Sequence, residues 1–405
     1  MTTVLVDATA LPADRGGVGR YVDELVTRLP GLGAEVHVAA QERDLTRYAA
    51  VLDADHVHLA PGWASGTPAR LVWEQVGLPG VVRQLRPDVL HSPHYTMPLP
   101  TWLAARLHGP LARVGRGSPT VPTAQVVTLH DATFFSLPEM HLAAKRRFFT
   151  AWTRVSAREA DALIVPSVAT RDEVVAHTGV DPDRIGVVPH GVDHDRFRPP
   201  TPDEVPAVRQ WLGLPDGTPY VAFLGTLEPR KNVPALVAAW VSACRGRDDP
   251  PVLVLAGGRG WDDGIDAALA AVPAGLRIVR PGFVPDDLVP ALLGGAEVFA
   301  YPAFGEGFGL PVLEAMACGA AVLTTRRLSL PEVGGEAVAY ASSPDAADVA
   351  AALAALLDDP ERRKVLGKKG IARAATYTWE ATARGHLEIY DAASRCVASR
   401  CVASR

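Results

Sequence analysis

The segment Glu306-Gly-Phe-Gly-Leu-Pro-Val-Leu-Glu314 places two glutamates eight positions apart around two glycines and a proline. Glycine lets the backbone approach a ligand closely, and Pro311 suits the first turn of a helix. The N-terminus of such a helix presents free N–H groups and the positive end of its dipole, which favours phosphate. Because carboxylates beside it can accept hydrogen bonds from sugar hydroxyls, the segment predicts a nucleotide-sugar site.

Short apolar runs alternate with helical patterns on both sides of this segment, which predicts βαβ units and parallel sheets. Six candidate strands lie in each half of the chain: Val4–Ala8, Glu35–Ala39, Val57–Ala60, Val89–His91, Gln125–Leu129, Ala162–Val165, Val221–Gly225, Val252–Ala256, Arg277–Arg280, Glu297–Tyr301, Ala321–Thr324 and Val338–Ala341. The helical patterns between the strands predict helices over residues 18–29, 69–86, 140–160, 168–178, 233–244, 286–293, 310–318, 346–357 and 378–394. The fold class expected from this pattern is α/β, with two Rossmann-like domains that face each other across a cleft.

A charged stretch with four prolines, residues 193–206, has the composition of a linker. We therefore expect a first domain over residues 1–195 and a second over 196–385. Residues 386–405 are expected to form a helix that crosses back to the first domain and then a frayed tail. That tail contains Cys396-Val-Ala-Ser-Arg400 and an exact copy of it, to which we assign no role.

Composition excludes several classes of protein. The net charge of −5 argues against nucleic acid as the main partner. The four cysteines show no C-x-x-C spacing and are interpreted as reduced thiols. Neither a signal peptide nor an apolar run long enough to cross a bilayer is recognisable. We expect a cytoplasmic protein.

The region 101–160 is an exception to the acidic balance, because it holds eight basic and three acidic residues. A solvated face is the ordinary interpretation of such charges, and a peripheral contact with the inner face of a membrane is the alternative. Most of the excess comes from Arg106, Arg113, Arg116, Lys145, Arg146 and Arg147.

Polar loops follow several of the predicted strands, at the edge where open parallel sheets bind ligands. Arg15-Gly-Gly-Val-Gly-Arg20 precedes a helix but lacks the spacing of the dinucleotide fingerprint, so it is either a plain loop or a ligand-facing one. His130 ends a strongly apolar strand and could donate to a substrate hydroxyl as a neutral imidazole. Asp131 could orient His130 or cap the next turn.

The loop Gly225-Thr-Leu-Glu-Pro-Arg230-Lys231-Asn232 follows the first strand of the second half. Arginine offers a planar fork of donors and lysine a point charge, a combination that suits a diphosphate. A solvated basic turn is the alternative interpretation.

Taken together, these motifs resemble the retaining glycosyltransferases of family 4, which have the GT-B fold. Glu306 and Glu314 resemble the E-x7-E motif of that family, and the Gly225–Asn232 loop resembles its phosphate-binding loop. Val188-Pro-His-Gly-Val-Asp193 is similar to its interdomain signature. Ala162–Ser167 with Thr170-Arg171, and Leu129-His-Asp131 with Phe134, also match. The resemblance covers about residues 3–392.

The resemblance implies a role for each matched position. Glu314 would hold the ribose, Glu306 the donor sugar near its C3 and C4 hydroxyls, and His130 the sugar near C6. Arg230 and Lys231 would neutralise the diphosphate, so that no metal is required. The remaining implied ligand contacts come from Gly17 near the diphosphate or the acceptor, Gly225 near the phosphates, Phe283 near the base, and the backbone of Phe308, Gly309 and Leu310.

The resemblance also implies a reaction. Family members retain the anomeric configuration, and the first domain would bind the acceptor, a glycan, glycolipid or lipid-linked molecule. The sequences of the loops that contain His130 and Arg230 are most similar to those of mannosyltransferases that use GDP-mannose. Glucosyl-, N-acetylglucosaminyl- and rhamnosyltransferases share the same motifs and remain alternatives. A sugar-nucleotide epimerase and a non-catalytic nucleotide-sugar-binding module are less favoured, because the cation pair and the two glutamates fit transfer better.

Overall fold

The computed structural model describes residues 1–13, 15–103 and 123–403. Arg106, Arg113 and Arg116 of the basic region lie outside the described residues. The strands along the described chain are β1 Thr3–Asp7, β2 Glu35–Ala40, β3 Val57–Leu59, β4 Val89–Ser92, β5 Ala124–Thr128, β6 Ala162–Val165, β7 Ile185–Val187, β8 Tyr220–Leu224, β9 Val252–Ala256, β10 Ile278–Gly282, β11 Val298–Tyr301, β12 Val322–Thr325 and β13 Ala339–Ala341.

The strands form two parallel sheets. The first has the order β3-β2-β1-β4-β5-β6-β7 and the second the order β10-β9-β8-β11-β12-β13. Strands β5 and β9 are buried at every position, as expected when helices cover both faces of a parallel sheet. The expected α/β class with two Rossmann-like sheets is confirmed.

Helices connect successive strands in each sheet. Their bounds are Gly17–Arg28, Leu45–Ala49, Thr67–Val76, Leu78–Leu85, Thr133–Ser136, Ala143–Glu159, Val168–Thr178, Glu204–Trp211, Val233–Cys244, Gly264–Ala270, Val289–Gly294, Leu310–Ala317, Leu330–Gly334, Ala346–Leu357, Pro360–Ala374 and Trp379–Ala403. Among the described residues, every helix is too short or too polar to span a bilayer.

The described chain divides into two compact units. The first contains residues 1–135, 143–191 and 379 onward, and the second contains residues 136–142 and 192–378. The first sheet belongs to the former and the second sheet to the latter. The chain therefore changes unit after Gly191 and again after Thr378, whereas the sequence suggested positions near 195 and 385.

The final helix corrects the expectation of a frayed tail. It begins at Trp379 and continues through the first copy of the repeat to Ala403. Val397 is buried, which supplies an apolar contact that continues the helix beyond the point where the sequence pattern weakens. This helix packs on helix Gly17–Arg28 and strand β5 within the first unit.

Three other local expectations are corrected. The single helix expected over 69–86 is broken at Gly77, where a Cβ would lie 2.4 Å from Nε1 of Trp73. Strand β7 was missed because it has three residues, one of them a glycine. Helix Pro360–Ala374 was missed because its basic composition hides its apolar positions.

The order of the second sheet places two of the predicted loops side by side. Strands β8 and β11 pair directly, with Val221 opposite Val298, and they mark the point where the strand order reverses. Loops that follow two such strands flank the position where open α/β sheets bind ligands. The loops after β8 and β11 contain the Arg230-Lys231 pair and Glu306.

The loop after β9 supports the loop after β8 through close backbone contact. Gly225 donates to the carbonyl of Ala256 at 3.0 Å, and Leu227 donates to that of Gly258 at the same distance. A Cβ on Gly257 would lie 2.2 Å from the carbonyl oxygen of Gly225. Only glycine fits this position.

We predict that Gly257→Ala lowers the melting temperature more than Gly275→Ala. Both glycines have φ near +120°, but among the described residues nothing lies within 4 Å of a Cβ at Gly275. The control therefore costs only the positive-φ strain, about 1–2 kcal/mol. The clash at Gly257 should add about 1–3 kcal/mol. Equal melting temperatures for the two variants would contradict the contact.

Candidate functional site

Arg230, Lys231 and Glu306 are in direct contact in the second unit. Arg230 donates from one terminal nitrogen to Glu306 Oε2 at 2.6 Å and to the carbonyl of Gly305 at 2.8 Å. Lys231 Nζ donates to Glu306 Oε1. The carboxylate of Glu306 thus has a different cation on each oxygen, and all three side chains are about nine-tenths buried.

Two further residues complete this cluster, and the sequence analysis assigned neither a role. Glu228 accepts from Arg230 at 2.7 Å and lies 3.8 Å from Lys231 Nζ. Tyr301, the last residue of β11, donates to Glu306 Oε1 at 2.7 Å and accepts from Lys231. The ion cluster, defined as Glu228, Arg230, Lys231, Tyr301 and Glu306, holds two carboxylates against two cations.

Burial and mutual charge shift the pKa values inside the ion cluster. Burial alone would raise the pKa of Glu306, but Arg230 and Lys231 outweigh it and lower that pKa to about 2. Burial and the charge of Arg230 lower the pKa of Lys231, while Glu306 opposes them. Burial, followed by Glu306, raises the pKa of Tyr301 well above its usual value, so the hydroxyl keeps its proton.

Asn232 holds the two cation-bearing positions against the loop after β11. Its φ of 59° is left-handed, a conformation that asparagine tolerates better than most residues. Its side-chain amide donates to the carbonyls of Pro302 at 3.1 Å and Pro344 at 2.7 Å. The backbone N–H of Phe304 donates to the carbonyl of Arg230 at 2.9 Å. Hydrogen bonds at both Arg230 and Asn232 therefore hold the loop after β8 against the loop after β11.

Helix Leu310–Ala317 begins directly after Glu306-Gly-Phe-Gly, as the sequence predicts. Gly309 is its N-cap, with φ 98° and ψ 48°, and no side chain among the described residues caps this end. Ser329, missed by the sequence analysis, donates from its hydroxyl to the carbonyls of Glu306 and Phe308 at 2.7 and 2.9 Å. Ser329 thereby fixes the loop that leads into the helix.

The other predicted donor-site residues also lie in the second unit. Glu314 is on the same helix and is 3% exposed, and Phe308 and Leu310 are buried. Phe283 is 68% exposed, and its ring lies 3.1 Å from where a Cβ on Gly258 would stand. An exposed aromatic ring beside a bare backbone is a surface on which a planar base can stack.

His130 lies at the end of β5 in the first unit. Its Nε2 must carry the proton, because it contacts the carbonyl of Pro93 at 2.6 Å and a carbonyl only accepts. Burial lowers the pKa of His130, so the neutral ring leaves Nδ1 as an acceptor. The expectation that His130 donates to a substrate is corrected, since its N–H is already used.

Asp131 caps the next turn. Its Oδ1 accepts from the backbone N–H of Thr133 at 3.2 Å and from the Thr133 hydroxyl at 2.9 Å. The backbone N–H of Asp131 donates to the hydroxyl of Tyr95 at 3.0 Å. Of the two open roles for this carboxylate, these hydrogen bonds support the cap, and the Pro93 carbonyl orients His130.

A buried chain of hydrogen bonds passes beside His130 and was not expected from the sequence. His386 Nδ1 donates to the carbonyl of Thr382, so its Nε2 accepts from Tyr21. Tyr21 then accepts from Thr128, and Thr128 accepts from His91 Nε2. The ring of Tyr21 packs edge-on against His130, with centroids 5.2 Å apart. The C-terminal helix is thereby connected to the strand end that carries His130.

Gly17 is the first residue of helix Gly17–Arg28, and no side chain among the described residues caps that helix. Arg15, which precedes the glycines, turns inward and donates to Asp23 at 3.2 Å and to Asp44 at 2.7 Å. Gly19 makes room for it, because a Cβ there would lie 2.6 Å from the Arg15 side chain. Arg15 and Gly19 in this loop are therefore explained by local packing and ion pairing.

The described lysine and arginine residues of the basic region all lie on helix Ala143–Glu159. Lys145 and Arg147 are exposed and Arg146 is half-buried. Phe149 and Trp152 pack against the core of the first unit. These two aromatic side chains therefore belong to the core, and the charges lie on the outer face of the helix, a placement that fits both interpretations of the basic region.

Comparison with known proteins tests the family assignment. The model of glycosyltransferase family 4 matches residues 15–196, and the model of glycosyl transferases group 1 matches residues 205–373. O-antigen chain mannosyltransferase B of Escherichia coli is 34% identical over 263 residues, which is 63% of this chain and 67% of the relative. A D-inositol 3-phosphate glycosyltransferase of Rhodococcus opacus is 30% identical over 395 residues, 93% of this chain and 86% of the relative.

The chain belongs to the family 4 glycosyltransferases.

Solved structures agree with the GT-B fold of this glycosyltransferase. Sucrose-phosphate synthase from Thermosynechococcus elongatus superposes with a TM-score of 0.74 at 21% identity, covering 96% of this chain and 98% of that one. The Anabaena protein HepE, crystallised with UDP and glucose, superposes with a TM-score of 0.69 at 18% identity, covering 96% and 99%. At these identities the likeness shows the fold alone.

The low pKa of Glu306 predicts a pH-dependent stability for this glycosyltransferase. The folded pKa of about 2 lies below the ordinary 4.5, so ionised Glu306 stabilises the folded state above pH 4.5. That contribution is lost as the pH falls from 4.5 toward 2. Glu306→Gln should lower the melting temperature at pH 7, and its deficit relative to wild type should shrink below pH 4.5. A deficit that is constant from pH 7 to pH 3 would contradict the ion pairing.

Proposed function

We propose that this glycosyltransferase transfers a hexose from a nucleotide sugar, with retention of configuration and without a metal ion. The favoured donor is GDP-mannose, and the acceptor is a glycan, glycolipid or lipid-linked molecule. The observation that carries the proposal is the pair of buried cations, Arg230 and Lys231, held against Glu306 beside the N-terminus of helix Leu310–Ala317.

The proposed chemistry breaks the bond between the anomeric carbon and the phosphate oxygen. The diphosphate leaves with the electron pair, the acceptor oxygen attacks the same face of the sugar, and its proton passes to the departing phosphate. Negative charge therefore grows on the diphosphate in the transition state. Arg230, Lys231 and the helix N–H groups would stabilise that charge without reorganising, which lowers the barrier.

The ion cluster also explains how Glu306 would serve the donor. Its carboxylate neutralises both cations and keeps them in place. A diphosphate would take over part of that neutralisation, and Glu306 would then accept from sugar hydroxyls. Glu314 is the proposed partner of the ribose and Phe283 that of the base. In the first unit, His130 is proposed to accept a hydroxyl hydrogen bond through Nδ1.

The proposed donor is supported by 34% identity to a mannosyltransferase over 63% of this chain. A second candidate is favoured by the longer alignment to D-inositol 3-phosphate glycosyltransferases, which covers 93% of this chain. In this alternative the acceptor is a phosphorylated polyol, inositol 3-phosphate.

We predict that a nucleoside diphosphate raises the melting temperature of the protein, since a ligand of the folded state stabilises it. GDP should raise the melting temperature more than UDP if GDP-mannose is the donor.

A second assay measures the release of nucleoside diphosphate, with and without inositol 3-phosphate. The donors compared are GDP-mannose, UDP-glucose, UDP-N-acetylglucosamine and dTDP-rhamnose. No shift with GDP, UDP or dTDP would overturn the transferase proposal. Turnover only with inositol 3-phosphate would select the second candidate.

We predict that Lys231→Ala lowers turnover at least tenfold, which corresponds to about 1.4 kcal/mol of lost transition-state stabilisation. Lys364→Ala is the matched control, because Lys364 is an exposed lysine of the same unit that pairs with exposed Glu361. Initial rates are measured at saturating donor for both variants. Wild-type turnover in Lys231→Ala would remove this residue from the site.

A further inference from the structure

Three histidines and a glutamate lie together at the edge of the first sheet. Strands β2 and β3 pair in parallel, with Ala39 opposite His58. Since alternate residues of a strand point to the same side, the shared face carries Glu35, His37 and His58. His56 ends the short helical turn Ala54–His56 that leads into β3, and its ring packs against that of His37. The sequence shows this as two short patterns, Glu-Val-His at 35–37 and His-Val-His at 56–58.

The donor atoms on this face are close together. The ligand atoms of Glu35, His37 and His56 all lie within 4.8 Å of one another. Nε2 of His37 is 3.7 Å from Glu35 Oε1, and the rings of His37 and His56 have centroids 4.1 Å apart. Small side-chain rotations would bring the three atoms to the spacing of one coordination sphere.

Hydrogen bonds outside the group already orient two of these ligands. His56 Nδ1 lies 3.0 Å from the carbonyl of Val36, so it must carry the proton and leave a lone pair on Nε2. The Thr3 hydroxyl donates to Glu35 Oε2 at 2.7 Å, which leaves Oε1 beside His37. Such second contacts fix the tautomer and orientation of metal ligands in proteins.

His37 presents a buried ring nitrogen to this face of the sheet. The residue is 6% exposed, and no hydrogen-bond partner lies within reach of its Nε2 among the described residues. Its Nδ1 contacts Nε2 of His58 at 3.2 Å. A buried nitrogen without a partner is costly, and a cation would relieve that cost.

We propose that Glu35, His37 and His56 bind a divalent transition-metal ion, Zn²⁺ in the first place, with solvent completing the coordination and His58 supporting His37. Two imidazoles and one carboxylate match the ligands that Zn²⁺ accepts, whereas Mg²⁺ and Ca²⁺ require oxygen ligands. Partly exposed His56 and His58 leave a route of entry.

The ion would fasten the edge strand β3 to β2. The ligands lie around the amino ends of these strands, whereas His130 follows the carboxyl end of β5. This zinc site is therefore structural and independent of the proposed transfer reaction, which requires no metal. A clamp of this kind would stabilise a three-residue edge strand that has one neighbour in the sheet.

The test uses full-length protein without a histidine tag, in a Cys396→Ser/Cys401→Ser background, because thiols also bind zinc. The protein is stripped with EDTA, dialysed and titrated with ZnSO₄ in a calorimeter. We expect one ion per chain, a rise in melting temperature with Zn²⁺ and none with Mg²⁺ at the same concentration. Bound Co²⁺ should show visible absorption bands from imidazole coordination.

His56→Gln should weaken zinc binding at least tenfold and abolish the thermal shift, and Glu35→Gln should weaken it as well. His194→Gln is the control, since His194 is an exposed histidine outside this face. The melting temperatures of the metal-free variants show whether each is folded. The proposal is overturned if wild type binds no zinc at micromolar concentrations, or if folded His56→Gln and Glu35→Gln both bind it as tightly as wild type.

Discussion

The pairing of Glu306 with both Arg230 and Lys231 is the interaction on which the second unit's site depends. Isolated charges are expensive to bury, and removing one partner of a buried pair leaves the other uncompensated. The ion cluster avoids this cost because two carboxylates face two cations. The Tyr301 hydroxyl adds one hydrogen bond to Glu306 and accepts one from Lys231. The loops after β8 and β11 must therefore keep their present separation, which Asn232 and the Phe304–Arg230 backbone bond enforce.

The ion cluster holds its own cations in place. Glu228 and Glu306 position Arg230 and Lys231, so the cost of orienting these cations is met during folding. The uncapped helix that begins after Gly309 adds a partial positive charge at the same loop. In the proposed function, a diphosphate would exchange with Glu306 at these two cations.

The sequence predicted the fold well where patterns are periodic and buried. Strands β6 and β9 and helix Val168–Thr178 match the prediction to the residue, because apolar runs and flanking turn residues determine them. Elements whose stability comes from distant contacts were not predicted, such as the helix that continues to Ala403.

At the site, Arg230, Lys231 and Glu306 could be selected by residue type, and their roles toward a ligand stay predictions. Tyr301, Ser329, Asn232 and the Tyr21–His386 chain required coordinates, since their partners are remote in sequence.

Arg230 and Lys231 are proposed to bind the second phosphate of the donor nucleotide. The most direct measurement is calorimetric titration of wild type and Lys231→Met with nucleoside mono- and diphosphates of guanosine and uridine. Wild type should bind the diphosphate of its preferred base at least tenfold more tightly than the monophosphate, and Lys231→Met should lose most of that preference. General effects of the substitution act on both ligands and cancel in the comparison. A full diphosphate preference in Lys231→Met would contradict the account.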